Sequence, residues 1–168
     1  ARGQKNLEDA KEILQRENKT EIYAISADIT DEHGILELER TCVDVFDHLD
    51  ILVINTGGPP NGMALSHGNE AWWEAFNIIL LPSVRLTRIL TPHFRKGAAI
   101  VYLAGVGAKE PLPHSVLSNA MHVAVMVLCK VFASEASELG IRVNCVLAGA
   151  FDTGRLHRLT ETWARQYG

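Results

Sequence analysis

Cysteine and positive charge are both scarce in this chain, and each shortage excludes a class of protein. Only three cysteines occur in 168 residues, Cys42, Cys129 and Cys145, and all three lie in apolar segments. An odd number at wide spacing does not form a disulfide framework, so we expect reduced core cysteines in a cytoplasmic protein. Because 16 Lys and Arg face 20 Asp and Glu, the net charge is -4 and no basic patch for nucleic acid is expected.

Patterns typical of metal sites and membrane proteins are missing as well. The seven histidines show neither HExxH nor a Cys/His ligand spacing, so no metal is predicted. The longest apolar stretch, residues 123–133, is interrupted by Lys130, and the polar opening of the chain does not resemble a signal peptide. We therefore expect no membrane partner.

The chain does contain a regular alternation of strand and helix patterns. Apolar runs predict strands at residues 21–27, 50–55, 98–104 and 141–147. Helical periodicity predicts helices near residues 7–14, 31–49, 70–95, 115–138 and 154–166, with Asp31 as a plausible N-cap. Short connections between such elements are typical of parallel βαβ units. The predicted fold is a single Rossmann-type doubly wound α/β domain with a parallel sheet in a three-layer α/β/α arrangement.

One strand ends abruptly in a turn rich in glycine and proline, in the segment DILVINTGGPPNG at residues 50–62. Ligands of open parallel sheets lie just beyond the carboxyl ends of the strands. The turn from Asn55 to Gly58 is therefore the first place to expect a ligand. The alternative is a purely structural turn.

The helix predicted from Ser115 to Glu138 is apolar on two faces. Such a helix needs two packing partners. One would be the sheet, and the other either a second helix of the same chain or a second subunit. We expect a homo-oligomer that associates through this helix.

Several segments together resemble the short-chain dehydrogenase/reductase family. DILVINTGG resembles the family's fourth-strand segment DhhhNNAG, in which h is apolar, and NTGGPP resembles a branch related to 3-oxoacyl-carrier-protein reductases. Residues 27–30 resemble the A-D-h-T segment, 85–88 (RLTR) the helix before strand five, 141–147 (IRVNCVL) strand six, and 149–153 the turn and Thr beside the nicotinamide. The resemblance covers essentially the whole chain, with its motifs in the family's order.

The resemblance implies hydride transfer between a nicotinamide dinucleotide and a small carbonyl or alcohol substrate. Arg2 stands where an NADP-type Arg would stand, which favours NADP(H) over NAD(H). The resemblance assigns cofactor contacts to Arg2, Asp28, Asn55, Thr56, Gly57, Gly149 and Thr153.

The family's four catalytic positions are all substituted in this sequence. The resemblance places Ser118 at the Tyr position, His122 at the Lys position, Gly105 at the Ser position and Ile79 at the Asn position, with Asn77 two residues upstream. Serine is a far weaker acid than tyrosine, and imidazole is mostly neutral at cytosolic pH. We therefore expect little turnover of the usual kind.

That substitution pattern leaves two alternatives open beside a reductase. One is a non-catalytic dinucleotide-binding or structural relative. The other is a hydrolase that uses Ser118 and His122, although the sequence has no GxSxG elbow.

The same resemblance predicts that segments of the family fold are missing from residues 1–168. The TGxxxGxG loop unit at the start and the C-terminal strand and helix have no counterpart in the sequence. In the strand order 3-2-1-4-5-6 this would separate the strand at residues 21–27 from that at 50–55 by about 14 Å, or three strand spacings. We expect this sequence to be part of a longer chain.

Overall fold

The computed structural model describes residues 2–17, 20–154, 156–157, 160–161 and 164. The helices in this part are α1 (Gln4–Glu17), α2 (Glu32–Val45), α3 (Asn69–Ala75), α4 (Leu81–Leu90) and α5 (Val116–Glu138). The strands are β1 (Leu49–Asn55), β2 (Phe94–Gly105) and β3 (Arg142–Ala148). A π-helical turn, Phe76–Leu80, joins α3 to α4.

The three strands form one parallel sheet in the order β1-β2-β3. Tyr102 of β2 lies between Ile54 of β1 and Cys145 of β3. Since the strands are parallel, their carboxyl ends lie along one edge of the sheet. A parallel sheet with flanking helices is the Rossmann-like α/β fold that the sequence predicts.

The core lies between one face of this sheet and the helices α2, α4 and α5. Ile100 and Tyr102 of the central strand are fully buried there, together with Leu90 of α4 and Cys129 of α5. The opposite face carries Ile51 and Val53, which are 68% and 53% exposed. Among the described residues, the helical layer is therefore concentrated on one side, and α1 buries none of its residues.

The prediction of a strand at residues 21–27 is wrong. The segment buries Ala27 but has no regular secondary structure, and among the described residues it pairs with no strand. Strand pairing needs a neighbour that offers its backbone groups, and β1 pairs only with β2 among the described residues. Residues 22–27 show the apolar pattern of a strand, but no strand among the described residues lies beside them to form hydrogen bonds.

The single helix predicted at residues 70–95 is also wrong in its continuity and its end. The π-helical turn interrupts it, and α4 ends at Leu90, before Pro92 in a short 3₁₀ turn. Proline cannot donate the helical hydrogen bond, so the helix stops there and β2 begins at Phe94. Asp31 does occupy the N-cap position of α2, but its side chain makes no capping bond. The last predicted helix, residues 154–166, lies largely outside the described residues.

Helix α5 is long and apolar enough to cross a membrane by length and composition alone. In this structure it packs instead on the sheet, where Val125 and Cys129 join the core cluster around Tyr102. Its other face leaves Val127 and Val131 53% and 54% exposed. The two apolar faces expected from the sequence are present, and the sheet covers only one of them.

A buried hydroxyl network ties α4 to the central strand. The Ser83 hydroxyl donates to the Ile79 carbonyl over 2.8 Å, and that of Thr87 donates to the Ser83 carbonyl over 2.7 Å. Thr87 Oγ1 also bonds the hydroxyl of Tyr102. Burial raises the pKa of Tyr102 to about 12, so its phenol stays protonated and donates to Thr87.

This network makes two substitutions unequal in cost. Thr87→Val leaves the buried Tyr102 hydroxyl without its partner and should lower the free energy of unfolding by about 1–3 kcal/mol. Tyr102→Phe leaves Thr87 bonded to the Ser83 carbonyl and should cost only about 0.5–1.5 kcal/mol. Urea denaturation measures both. Thr41→Val, which removes the same kind of bond at the surface, is the control; a larger loss in Tyr102→Phe than in Thr87→Val would contradict the network.

Candidate cofactor and active site

A cleft of about 1070 Å³ opens beyond the carboxyl end of β1. Five of the predicted cofactor residues line it: Arg2, Asp28, Asn55, Thr56 and Gly57. They come from three separate segments of the chain, which the fold brings to one place. The glycine turn that the sequence marks as a ligand site is therefore one wall of this cleft.

The Asp28 carboxylate is held in a defined position at the far side of this cleft. It accepts hydrogen bonds from the Thr30 backbone amide at 3.0 Å and the Thr30 hydroxyl at 2.7 Å. Arg2 lies 3.5 Å away. The backbone hydrogen bond from Thr30, then its hydroxyl, and more weakly Arg2 lower the pKa of Asp28, so the group is a stable anion.

Two residues outside the sequence-predicted set fix the Asp28 turn. Arg85 of α4 donates to the Thr30 carbonyl over 3.0 Å. Gly34 of α2 packs so closely that a Cβ there would overlap the Asp28 carbonyl. The RLTR motif contains Arg85, but only the structure shows that its guanidinium reaches across to this turn.

The turn after β1 leaves its edge of the cleft open. A Cβ on Gly57 would have no other atom within 4 Å, and the backbone there is not left-handed. Glycine at this position is therefore not needed for the turn itself. It keeps the space beside the backbone empty, which is what close approach of a ligand requires.

Helix α3 and the π-helical turn that follows it supply another wall. Asn77, Trp73, Glu70 and Glu74 line the cleft from this side. Ile79, which the ungapped comparison places at the family's Asn position, is instead fully buried. Asn77, which lies in the same π-helical turn two residues before Ile79, does line the cleft.

A second cluster lies at the carboxyl end of β2, where α5 begins. Ser118 Oγ lies 3.2 Å from His122 Nδ1, and both side chains are partly buried. A Cβ on Gly105 would lie 3.0 Å from the same nitrogen. Gly105, Ser118 and His122, which the family resemblance assigns to the Ser, Tyr and Lys positions, thus lie next to one another.

Two predicted cofactor residues stand apart from the cleft lining. Gly149 follows β3, and a Cβ there would meet nothing within 4 Å. The Thr153 hydroxyl accepts a hydrogen bond from the Leu156 amide over 3.4 Å, which is a helix-capping contact. The part of the chain that the structure describes contains no group of three His, Cys, Asp or Glu side chains that could hold a metal ion.

A family model for short chain dehydrogenases matches residues 1–164. The chain belongs to the short-chain dehydrogenase/reductase family. A dehydrogenase/reductase, SDR family member 4, from Caenorhabditis elegans is 26% identical over 156 residues, which is 91% of this chain and 60% of that protein. The chain thus spans about three fifths of that relative's length.

Two solved structures of the family are closely similar. L-sorbose reductase from Gluconobacter frateurii, complexed with NADPH and L-sorbose, has a TM-score of 0.92 at 26% identity. The match covers 100% of this chain and 65% of the reductase chain. An NADPH-bound short chain oxidoreductase from Pseudomonas aeruginosa PAO1, which contains an atypical catalytic center, has a TM-score of 0.89 at 28% identity and covers 98% and 65%. Both similarities extend over the full described fold.

The residues of the cleft fit the adenosine end of a nicotinamide dinucleotide. The fixed Asp28 carboxylate can accept hydrogen bonds from an adenine amine, and Arg2 beside it offers donors to a phosphate. The open edge at Gly57 leaves room for the cofactor along the backbone. Residues 1–168 contain no TGxxxGxG segment of the kind that binds phosphate in the family.

The close packing of Gly34 on the Asp28 turn gives a stability prediction. Alanine inside a helix is ordinarily more stable than glycine by about 0.8–1 kcal/mol. Here Gly34→Ala should instead lower the free energy of unfolding by about 1–3 kcal/mol, because the methyl group overlaps the Asp28 carbonyl. Denaturant titration measures the sign, and Gly57→Ala, which adds a methyl group in open space, is the matched control. Equal or greater stability of Gly34→Ala would contradict the packing.

Proposed function

We propose that the protein is an NADP(H)-dependent oxidoreductase that acts on a small carbonyl or alcohol substrate. The observation that carries this proposal is the cleft in which Asp28, Arg2 and the open Gly57 edge converge. Family membership supports the reaction class. The NADPH complexes of two similar structures support the cofactor class.

The charge distribution in the cleft favours NADP(H) over NAD(H). Arg2 is the single cation among the described residues that line it, and it lies next to Asp28. The 2'-phosphate of NADP(H) would find its only cationic partner there, while Asp28 is already paired with donors from Thr30. Glu70 and Glu74 on the α3 wall would repel a phosphate and keep it on the Arg2 side.

In the reaction, a bound dihydronicotinamide would supply the hydride. The residues of this chain would bind and orient: Asp28 and Arg2 fix the adenosine end, and the turn at Asn55, Thr56 and Gly57 borders the rest of the cofactor. Gly149 and Thr153 are assigned to the nicotinamide end by family resemblance. Gly105, Ser118 and His122, which touch one another at the carboxyl end of β2, are assigned to the substrate oxygen by family resemblance.

A non-catalytic dinucleotide-binding relative is the second candidate. It is favoured by Ile79, which is fully buried and cannot reach a substrate, and by Gly105, which offers no hydroxyl. In this alternative the cleft binds NADPH and the scaffold serves a structural role. The P. aeruginosa structure, with an atypical center and bound NADPH, supports retention of cofactor binding when the center departs from the usual pattern.

We further propose that copies of the chain associate through α5 in the cytoplasm. Val123, Val127 and Val131 form an exposed apolar stripe on this helix. A stripe at i, i+4 and i+8 spacing suits a second helix of the same kind. The three cysteines without disulfides agree with a reducing compartment.

NADPH titration of the full-length protein, followed by fluorescence, tests the proposed cofactor. We expect saturable binding, and Gly57→Val should raise the dissociation constant at least about tenfold because its side chain fills the cofactor's path. Ala64→Val, which adds bulk to an exposed turn outside the cleft lining, should bind like the wild type. Absence of NADPH binding in the wild type would overturn the proposal.

Assays with NADPH and a carbonyl panel of cyclohexanone, 2-butanone and L-sorbose then separate the two candidate functions. Consumption of NADPH with formation of the alcohol supports the oxidoreductase. Saturable NADPH binding without turnover on the panel supports the non-catalytic relative.

The α5 stripe predicts the oligomeric state and its sensitivity to charge. Val127→Asp should shift the protein toward smaller species, with a dissociation constant raised about 10²-fold or more, because an unpaired carboxylate would be buried in the interface. Analytical ultracentrifugation measures the mass. Val43→Asp, on an exposed valine of α2, is the control; an unchanged mass distribution in Val127→Asp would refute association through this helix.

A further inference from the structure

We propose that Ser118 and His122 form a proton-transfer pair that serves the substrate oxygen in place of the family's usual residues. This inference rests on the proposed oxidoreductase function and names its proton donor. The structure supplies what the sequence could not: Ser118 Oγ and His122 Nδ1 lie 3.2 Å apart, one helical turn from each other at the start of α5. The contact uses the nitrogen that faces Gly105.

Position and access support the assignment. Both side chains are partly buried, so they are neither sealed in the core nor fully solvated. They stand beside Gly105, the last residue of β2, and parallel α/β sheets bind ligands beyond that edge. The absence of a side chain at Gly105 is what admits the imidazole, since a Cβ there would press on His122 Nδ1 at 3.0 Å.

The chemistry balances for reduction of a carbonyl. A bound dihydronicotinamide would supply the hydride for the new C–H bond, and the electron pair of the C=O π bond would pass to the oxygen. The oxygen takes the hydroxyl proton of Ser118, and Ser118 takes the proton of His122 Nδ1. The imidazolium thereby becomes imidazole and recovers a proton from solvent. Ser118 is the catalytic residue because it touches the reacting oxygen, and His122 is the positioning residue that supplies it.

Charges near the pair bear on its pH dependence. Ser118 and Gly105, which lie against His122 Nδ1, are both neutral residues. The elements packed against α5 are α3, the π-helical turn, β2, the turn Val106–Ala108 and β3. These elements carry the titratable side chains Glu70, Glu74, Arg95, Lys96, Tyr102, Arg142 and Cys145. Besides His122, α5 itself carries Cys129, Lys130, Glu135 and Glu138. His122 packs beside Gly105, the last residue of β2. The titratable residues of β2 and β3 all lie before the last two residues of their strands.

Reduction by this pair needs the imidazolium. The rate of carbonyl reduction should therefore fall as pH rises through the range in which this imidazolium loses its proton. The reverse oxidation needs neutral imidazole and should rise over the same range. A merely structural His122 would produce neither limb.

Two variants of the full-length protein, with two controls, test the pair with NADPH and the carbonyl panel. Ser118→Ala should lower kcat for reduction about 10²- to 10⁴-fold while the NADPH dissociation constant stays within about twofold. His122→Gln should lower kcat and remove the pH limb. Ser137→Ala on the same helix and His33→Gln on exposed α2 are the matched controls, and they should match the wild type.

A measurement without cofactor or substrate checks the bond itself. The ¹⁵N NMR signal of His122 Nδ1 should shift in Ser118→Ala and stay in place in Ser137→Ala. An unchanged Nδ1 signal would overturn the inference, as would unchanged kcat in Ser118→Ala.

The outcomes also separate this inference from the proposed function. NADPH binding without turnover on the panel would overturn the proton-transfer pair and leave cofactor binding standing. Failure to bind NADPH would overturn the proposed function and this inference together.

Discussion

The pairing of β2 with strands on both sides is the constraint on which the rest of the structure depends. β2 aligns the ends of β1 and β3 with its own, so residues far apart in sequence meet at one edge. The bond between Tyr102 and Thr87 then fixes α4 against this strand. Because α4 also carries Arg85, which donates to the Thr30 carbonyl, the position of the Asp28 turn is linked through α4 to the sheet.

The cleft and the Ser118 cluster illustrate two different ways in which this edge is used. The cleft beyond β1 combines an open space beside Gly57 with a fixed anion at Asp28. The cluster beyond β2 is defined by contact, with Ser118, His122 and Gly105 touching one another. The open cleft beyond β1 therefore suits ligand binding. The contacting side chains beyond β2 suit proton transfer.

The sequence predicted the fold class and three of its strands because apolar runs and glycine turns are local signals. It failed at residues 21–27, where the pattern is that of a strand but pairing depends on a neighbour elsewhere in the chain. The assignment of Ile79 to the family's Asn position stays a prediction, and the structure adds that Ile79 is fully buried within a π-helical turn, which the periodicity of the sequence did not indicate. Gly34 and Arg85 were missed for the same reason: their roles come from contacts across the fold.

The substitutions at the family's catalytic positions are physically coupled. His122 Nδ1 occupies space that any side chain at position 105 would enter, so a hydroxyl-bearing residue there and the present imidazole position exclude each other without movement. The small Ser118 leaves its hydroxyl at hydrogen-bonding distance from that nitrogen, which a tyrosine, whose hydroxyl lies at the far end of its ring, would not do from the same backbone position. Gly105, Ser118 and His122 therefore form one self-consistent arrangement, in which each residue makes room for or bonds to the next, and its chemistry follows from the set rather than from any single replacement.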